Sequence, residues 1–299
     1  MTQNKPANAL ANGYIDAHVH VWTPDTVKYP LAAGYQRDEM KPPSFTPAEL
    51  LAQARPCGVS RVVLVQMSFY GFDNSYMLDS MKAHPGVFSG IAVIDNGSTS
   101  GARENSGKAA KPADEMQRLK ALGVRGFRIF PRNLPPDRWL GSPQMASIWE
   151  CGTAERLAMC CLVNPDALPE IDRMCGKYPG TPVVIDHFAR IGVDGQIHEA
   201  DLKKLCGLAR HKNTMVKISA FYALGKKQAP YMDLGPMVRR LLDAFGRERL
   251  MWATDCPYQM QDKHTYCDSV KLIEERLEFL TADDRQWLLR KTAERVFFA

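Results

Sequence analysis

Short apolar runs rich in Val and Ile alternate along the chain with polar loops and longer segments of helical period. Eight such runs stand out: Tyr14–Trp22, Arg61–Gln66, Phe88–Asp95, Val124–Phe130, Ala158–Asn164, Pro182–His187, Thr214–Ala220 and Leu250–Asp255. Between them lie six segments with amphipathic spacing: Asn74–Ala83, Ala113–Leu122, Ser142–Leu157, Asp166–Lys177, Glu199–His211 and Asp233–Phe245. Strands alternating with helices predict a parallel sheet joined by crossovers. Eight repeats in a chain of 299 residues favour an α/β fold closed into a single, somewhat distorted (β/α)8 barrel with long βα loops. The competing architecture, an open doubly wound sheet, would carry a Gly-rich phosphate turn after its first strand. None follows Tyr14–Trp22.

Two segments break the alternation. Pro24–Pro47 is a long, Pro-punctuated loop after the first strand. Gly97–Pro112, GSTSGARENSGKAAKP, has no apolar period and is expected to be mobile. It follows the third strand, so in a barrel it emerges on the catalytic face, either as a surface insertion or as a lid. Thr281–Phe298 reads as a terminal helix that buries Trp287, Leu288 and Phe297. Residues 1–13 read as an extended or disordered tail and 14–299 as one domain.

Composition narrows the class. The chain is 45% hydrophobic and 24% charged, enough apolar material for a large core and unlike a disordered chain. The net charge of +5 is spread in short pairs such as Lys203-Lys204, Lys226-Lys227 and Arg239-Arg240. No basic stripe for nucleic acid forms, but a mild positive field suits a small anionic substrate. The polar first twelve residues do not resemble a secretory signal, and no apolar run is long enough for a bilayer. Eight Cys occur without a Cys-x-x-Cys pair, and Cys160-Cys161 lie inside an apolar run. They read as reduced core residues of a cytoplasmic protein. No heptad decides the oligomeric state, so a homo-oligomer stays open.

In a barrel the strand ends carry the chemistry. The first strand carries Asp16-Ala17-His18-Val19-His20, and alternation places His18 and His20 on one face. Turned inward, two imidazoles suit a metal or a polarised carbonyl oxygen; turned elsewhere, they are hydrogen-bonded structural groups. The sixth strand ends in Val184-Ile185-Asp186-His187 and the eighth in Thr254-Asp255-Cys256-Pro257-Tyr258. An Asp that closes a buried apolar strand must be paired or used. Asp255 is therefore a candidate general base, metal ligand or both.

The ordered set of these motifs resembles the amidohydrolase superfamily. It is closest to the amidohydrolase-2 branch that contains 2-pyrone-4,6-dicarboxylate and sugar lactonases. Gly123-Val124-Arg125-Gly126-Phe127-Arg128 on the fourth strand and Val216-Lys217-Ile218-Ser219 on the seventh complete the resemblance, which spans nearly the whole chain. It implies a distorted barrel with hydrolytic chemistry at the strand ends, with His18, His20, His187 and Asp255 as the catalytic set. One position departs from the metal-dependent members, which place a His at the end of strand five. Here Cys160-Cys161-Leu162-Val163-Asn164 offers only Asn164, a poor ligand for a borderline-soft ion. The lactonase branch shares that absence and works without a metal. Two readings stay open: His18, His20 and Asp255 hold one Zn²⁺ or Mn²⁺, or no metal is needed. The balance leans to the second.

Arg128 is the candidate clamp for a substrate carboxylate, with an ion pair on the barrel rim as the plain alternative. Arg125 falls in the opposite phase with Phe127, and Arg132 is a weaker loop candidate. Lys217, Ser219 and Tyr222 on and after strand seven, Gln66 after strand two and Asn164 after strand five complete the candidate substrate contacts. His84, His198, His211 and His264 fall on helices or loops as surface residues. The reading is a hydrolase of a carboxylate-bearing lactone or similar cyclic ester. The alternatives are a metal-dependent decarboxylase of an aromatic or muconate-type acid, and a barrel that binds a ligand without catalysis.

Overall fold

The computed structural model describes residues 12–95, 111–131 and 134–299. Eight parallel strands run in chain order: β1 Tyr14–Val19, β2 Val59–Val65, β3 Phe88–Ala92, β4 Val124–Ile129, β5 Ala158–Cys161, β6 Val183–Ile185, β7 Thr214–Ile218 and β8 Leu250–Trp252. The ends of β1 and β8 meet through a parallel bridge between Val19 and Cys256, which brings the sheet to a nearly closed (β/α)8 barrel. Each expected apolar run overlaps a strand, with β2 beginning at Val59, two residues before its run. Most strands stop short of the run's last residues, which leave the sheet to build the mouth of the barrel.

The expected helices are present as α2 Ser75–Ala83, α3 Pro112–Ala121, α5 Pro143–Glu155, α6 Leu168–Lys177, α7 Glu199–Gly207 and α8 Gly235–Phe245. Three others did not show as an apolar period: α1 Pro47–Ala54, the short α4 Pro136–Leu140, and α9 Tyr266–Lys271. Their signals are terminal instead. α1 begins with a reciprocal capping box between Thr46 and Glu49 and a Pro in its first turn, and Thr265 caps α9 at the Asp268 N–H. The terminal helix forms as α10 Ala282–Gln286 and α11 Thr292–Phe297, joined by a π-turn over Trp287–Lys291.

Strand alternation sorts the core into two layers. Val62, Leu64, Phe127, Ile129, Val216, Ile218 and Trp252 face the helices. There they meet stripes such as Met237, Val238, Leu241 and Phe245 on α8. Ile15, Ala17, Val63, Val65, Cys160, Val184, Met215 and Met251 fill the barrel interior, and Phe297 of α11 joins them. Two residues further along these inner rows, the side chains turn polar: Val184 leads to Asp186, and Met215 leads to Lys217. β1 reaches the same layer through a register irregularity between Asp16 and Val19. Below it Ile15 and Ala17 are interior; above it Val19 joins the outer core and His18 and His20 face inward.

One expectation fails. Cys57 and Cys267 form a disulfide with Cα atoms 5.2 Å apart. They lie 210 residues apart in sequence, and the helical turn after α1 packs against α9 to bring them together. The other six cysteines are free, and of these only Cys206 is not buried. The redox argument for a cytoplasmic location therefore falls away. Among the described residues, no helix is long and apolar enough to cross a membrane. Most of the expected tail, the Gly97–Ala110 part of the polar loop and Arg132 lie outside the described residues.

Candidate active site

Asp16 fixes the seam on which the site is built. Its buried carboxylate accepts the backbone N–H of His18 (3.1 Å) and of Thr254 (3.0 Å), and the hydroxyls of Thr254 and Tyr266. Burial lifts this carboxyl to about 6, against the pull of those hydrogen bonds. The seam continues in main-chain bonds: Asp255 N–H donates to His18 O (2.9 Å) and His20 N–H donates to Cys256 O (2.8 Å). Asp255 itself sits at φ 71°, a left-handed conformation that a non-Gly residue adopts only under constraint from its surroundings. At the end of β6, His187, Phe188 and Ala189 also have positive φ, and this tight left-handed turn aims His187 back over the barrel.

Three imidazoles converge on one carboxylate oxygen. Asp255 Oδ1 lies 3.4 Å from His20 Nε2, 3.5 Å from His18 Nε2 and 3.9 Å from His187 Nε2. Its other oxygen accepts the Tyr222 hydroxyl at 2.7 Å. His18 Nε2 and His20 Nε2 are 3.3 Å apart. Each ring is held from behind: His20 Nδ1 donates to Val65 O (2.9 Å), and His187 Nδ1 contacts Ser219 Oγ (2.8 Å). Beneath them, Lys217 Nζ lies 3.0 Å from Asp186 Oδ1 and 3.2 Å from His18 Nδ1. Arg128 Nη1 approaches His18 Nε2 at 3.2 Å from the β4 side.

The charges follow from this arrangement. Burial works to raise the Asp255 carboxyl, but His187, His20 and His18 hold it below the ordinary carboxylate range. Burial likewise opposes Asp186, yet the Lys217 ammonium keeps it well below that range. Burial and Lys217 push His18 well down, and burial pushes His187 down. The site thus sets an ionised carboxylate beside His18 and His187, whose charged forms burial disfavours, with Arg128 and Lys217 as its cations. That set can take a proton from water and donate hydrogen bonds to a developing oxyanion.

The Amidohydro_2 family model, described as amidohydrolase, matches residues 15–299. The chain belongs to this amidohydrolase family. It is 29% identical over 251 residues to L-fucono-1,5-lactonase of Burkholderia ambifaria, covering 81% of this chain and 80% of the relative. It is 29% identical over 273 residues to 2-pyrone-4,6-dicarboxylate hydrolase of Comamonas testosteroni, covering 87% and 82%. A Pseudomonas putida crystal structure provisionally named 2-pyrone-4,6-dicarboxylic acid hydrolase superposes with a TM-score of 0.77 at 25% identity, covering 97% of this chain and 98% of that one.

Within this amidohydrolase the expected residues separate by depth. His20 and His187 are 5% exposed and Asp255 is 7% exposed, whereas His18, Asp186, Lys217 and Ser219 are 0% exposed. The first group borders the mouth; the second lies under it. Lys217 and Ser219 therefore support imidazoles from beneath. Gln66 donates its amide to Asp73 O, which shapes the loop after β2, and Asn164 is exposed beyond β5. Arg125 turns outward to Lys120 O and Val124 O, the phase its position predicts. Sequence reasoning did not assign Asp186 a place in the site, although an Asp closing an apolar strand was the available signal. It also passed over Tyr258, whose ring stands edge-on to His20 at 6.0 Å. Of the histidines expected on the surface, only His198 is exposed. His211 pairs with Asp172 at 2.7 Å, and His264 is half-buried with Nδ1 2.7 Å from the Tyr231 hydroxyl.

His18, His20 and Asp255 also form a group that could hold a metal ion, as do His18, Asp186 and His187. In the first group the edges of 3.3, 3.4 and 3.5 Å match those of a tetrahedron whose ligands lie about 2.0–2.1 Å from a zinc ion. The donor spacing therefore fits. Two cations, Lys217 and Arg128, stand against the His18 ring in the same space.

Proposed function

We propose that this amidohydrolase opens lactones, with Asp255 as the general base for the attacking water. The observation that carries this reading is the convergence of three imidazole nitrogens on Asp255 Oδ1, within 3.4–3.9 Å. Water placed at Oδ1 gives up a proton to the carboxylate as it attacks the lactone carbonyl. Arg128 lies where it can donate to the resulting oxyanion, and the proton taken up by Asp255 can pass by way of His187 Nε2 to the leaving alkoxide. The ester C–O bond then breaks, and the product is an open hydroxy acid. The relatives named L-fucono-1,5-lactonase and 2-pyrone-4,6-dicarboxylate hydrolase support the reaction class.

The substrate we favour carries a carboxylate of its own, because Arg128 is half-buried at the mouth with its guanidinium turned toward the imidazoles. A second reading has its own support in the tetrahedral spacing of His18, His20 and Asp255. A zinc or manganese ion held there would polarise the carbonyl or activate water. We favour catalysis without it, because Arg128 and Lys217 already supply positive charge around His18.

The test is Asp255→Asn, assayed against fucono-1,5-lactone and 2-pyrone-4,6-dicarboxylate beside the parent protein. The parent is expected to hydrolyse at least one lactone. The variant, folded by circular dichroism, is expected to lose roughly 10²–10⁴ in kcat. Near-parental turnover by the variant would sink the assignment.

A further inference from the structure

His264 is pinned from behind and meets the site through one other ring. It lies in the loop between β8 and α9, just before the Thr265 cap. In the same loop Gln259, fully buried, donates from Nε2 to Thr265 O at 3.2 Å. A carbonyl only accepts, so this bond fixes which way the amide points. The other proton of that nitrogen goes to the Tyr231 hydroxyl oxygen at 2.9 Å. Tyr231, buried in the loop after β7, then donates its own proton to His264 Nδ1 at 2.7 Å. Two buried side chains from two loops therefore hold one edge of the imidazole.

The pinned ring stands against Tyr222. The two centroids are 6.4 Å apart with the planes at 63°, an edge-to-face pair. The neighbouring Phe221 turns into the core, against Phe188 at 6.3 Å and Tyr231 at 5.7 Å. Tyr222 is left half-buried, with its hydroxyl 2.7 Å from Asp255 Oδ2. Among the described residues, His264 is the one ring in such contact with Tyr222. A phenol keeps its hydroxyl on a target only while its ring keeps one rotamer, so what packs against the ring matters to the bond at its tip. No hydrogen bond, ion pair or ring contact joins His264 to Asp255, His18, His20 or His187 among the described residues. Its route to the reacting atoms is the Tyr222 ring.

We infer that His264 is a positioning residue: acting through Tyr222, it holds the hydroxyl that turns Asp255 Oδ1 toward the attacking water. The inference rests on the reading of Asp255 as general base and deepens it. The arm runs from Gln259 through Tyr231 and His264 to Tyr222, and so couples the loops after β7 and β8 to the direction of one carboxylate.

The experiment is a double-mutant cycle in the full-length protein, with His264→Ala, Tyr222→Phe and the two combined. His264→Asn, which also lacks the ring but keeps an acceptor for Tyr231, stands beside His264→Ala in case that change does not fold. His264→Phe keeps a ring against Tyr222. Turnover of 2-pyrone-4,6-dicarboxylate and fucono-1,5-lactone gives kcat and KM, and crystal structures of the parent and the ringless variants record the contact between Tyr222 and Asp255. Loss of the ring is expected to lower kcat roughly 3–10-fold, the scale of one aromatic edge contact, with KM nearly unchanged. His264→Phe should recover most of that loss. In the Tyr222→Phe background the same change should cost nothing further, because ring position no longer matters once the hydroxyl is gone. The ringless variants should show the Tyr222 hydroxyl displaced from Asp255. Parental kcat in the ringless variants, losses that multiply in the cycle, or a Tyr222 hydroxyl still seated on Asp255 would each overturn the inference. Near-parental turnover by Asp255→Asn would sink the base assignment instead. The crystal structures report on positioning even if no lactone is turned over, so the two conclusions fail separately.

Discussion

The Tyr222 hydroxyl donates to Asp255 Oδ2 at 2.7 Å and so turns the other carboxylate oxygen toward the three imidazoles. A hydrogen bond to a charged group contributes about 1.5–3 kcal/mol. Tyr222→Phe should therefore lower kcat/KM by roughly 10–100-fold, while the melting temperature moves little because the ring still packs. Burial and Asp255 push the Tyr222 hydroxyl up, so it remains a donor and never competes as a base. Steady-state kinetics beside thermal melts check this. A variant with parental kinetics would show that the carboxylate needs no such orientation.

Arg128 tests the charge of the substrate. Its guanidinium is the half-buried cation at the mouth, while the other site cation, Lys217, is sealed below His18. Arg128→Met should raise KM for a dicarboxylate lactone by roughly 10–100-fold, the loss of one charge-assisted contact of about 1.5–3 kcal/mol. It should affect KM for an uncharged sugar lactone much less. Parallel KM measurements on 2-pyrone-4,6-dicarboxylate and fucono-1,5-lactone decide it. Equal effects on both would assign Arg128 to the carbonyl rather than to a substrate carboxylate.

The barrel was legible in the sequence because eight apolar runs and the helices between them repeat a single physical unit. The site was legible where chemistry interrupts that unit: two histidines after Ala17, a His at the end of the sixth run and an Asp after Thr254, while the Asp after Ile185 was passed over. What sequence could not convey was depth. Arg128 and Lys217 look alike as cations on inner rows, yet one reaches the mouth and the other is fully buried. That difference depends on how far each strand runs before its loop begins. Nor could spacing show that Cys57 meets Cys267, since the contact depends on two helical segments at opposite ends of the chain lying side by side. Helices α1 and α9 escaped the periodic reading because they are too short for an apolar stripe, although their caps were written in Thr46, Glu49 and Thr265.

The disulfide makes the last prediction. It joins the segment after α1 to α9, and so braces the closing seam between β1 and β8 from outside. Closing a loop of 210 residues restricts the unfolded chain strongly, with an upper contribution of roughly 5 kcal/mol by loop entropy. Cys57→Ser/Cys267→Ser should unfold at lower urea concentration than the oxidised parent, and reductant should shift the parent toward the variant without shifting the variant. Thiol chemistry gives an independent check. Burial raises the thiols of Cys160, to about 12, and of Cys175, to about 11, so neither reacts readily at pH 8. Alkylation of the native oxidised chain should modify Cys206 alone, slowly, and after reduction and unfolding it should modify all eight cysteines. Rapid labelling of Cys57 or Cys267 in the native chain before reduction, with an unchanged urea midpoint in the double variant, would show that the bridge neither forms nor stabilises the seam.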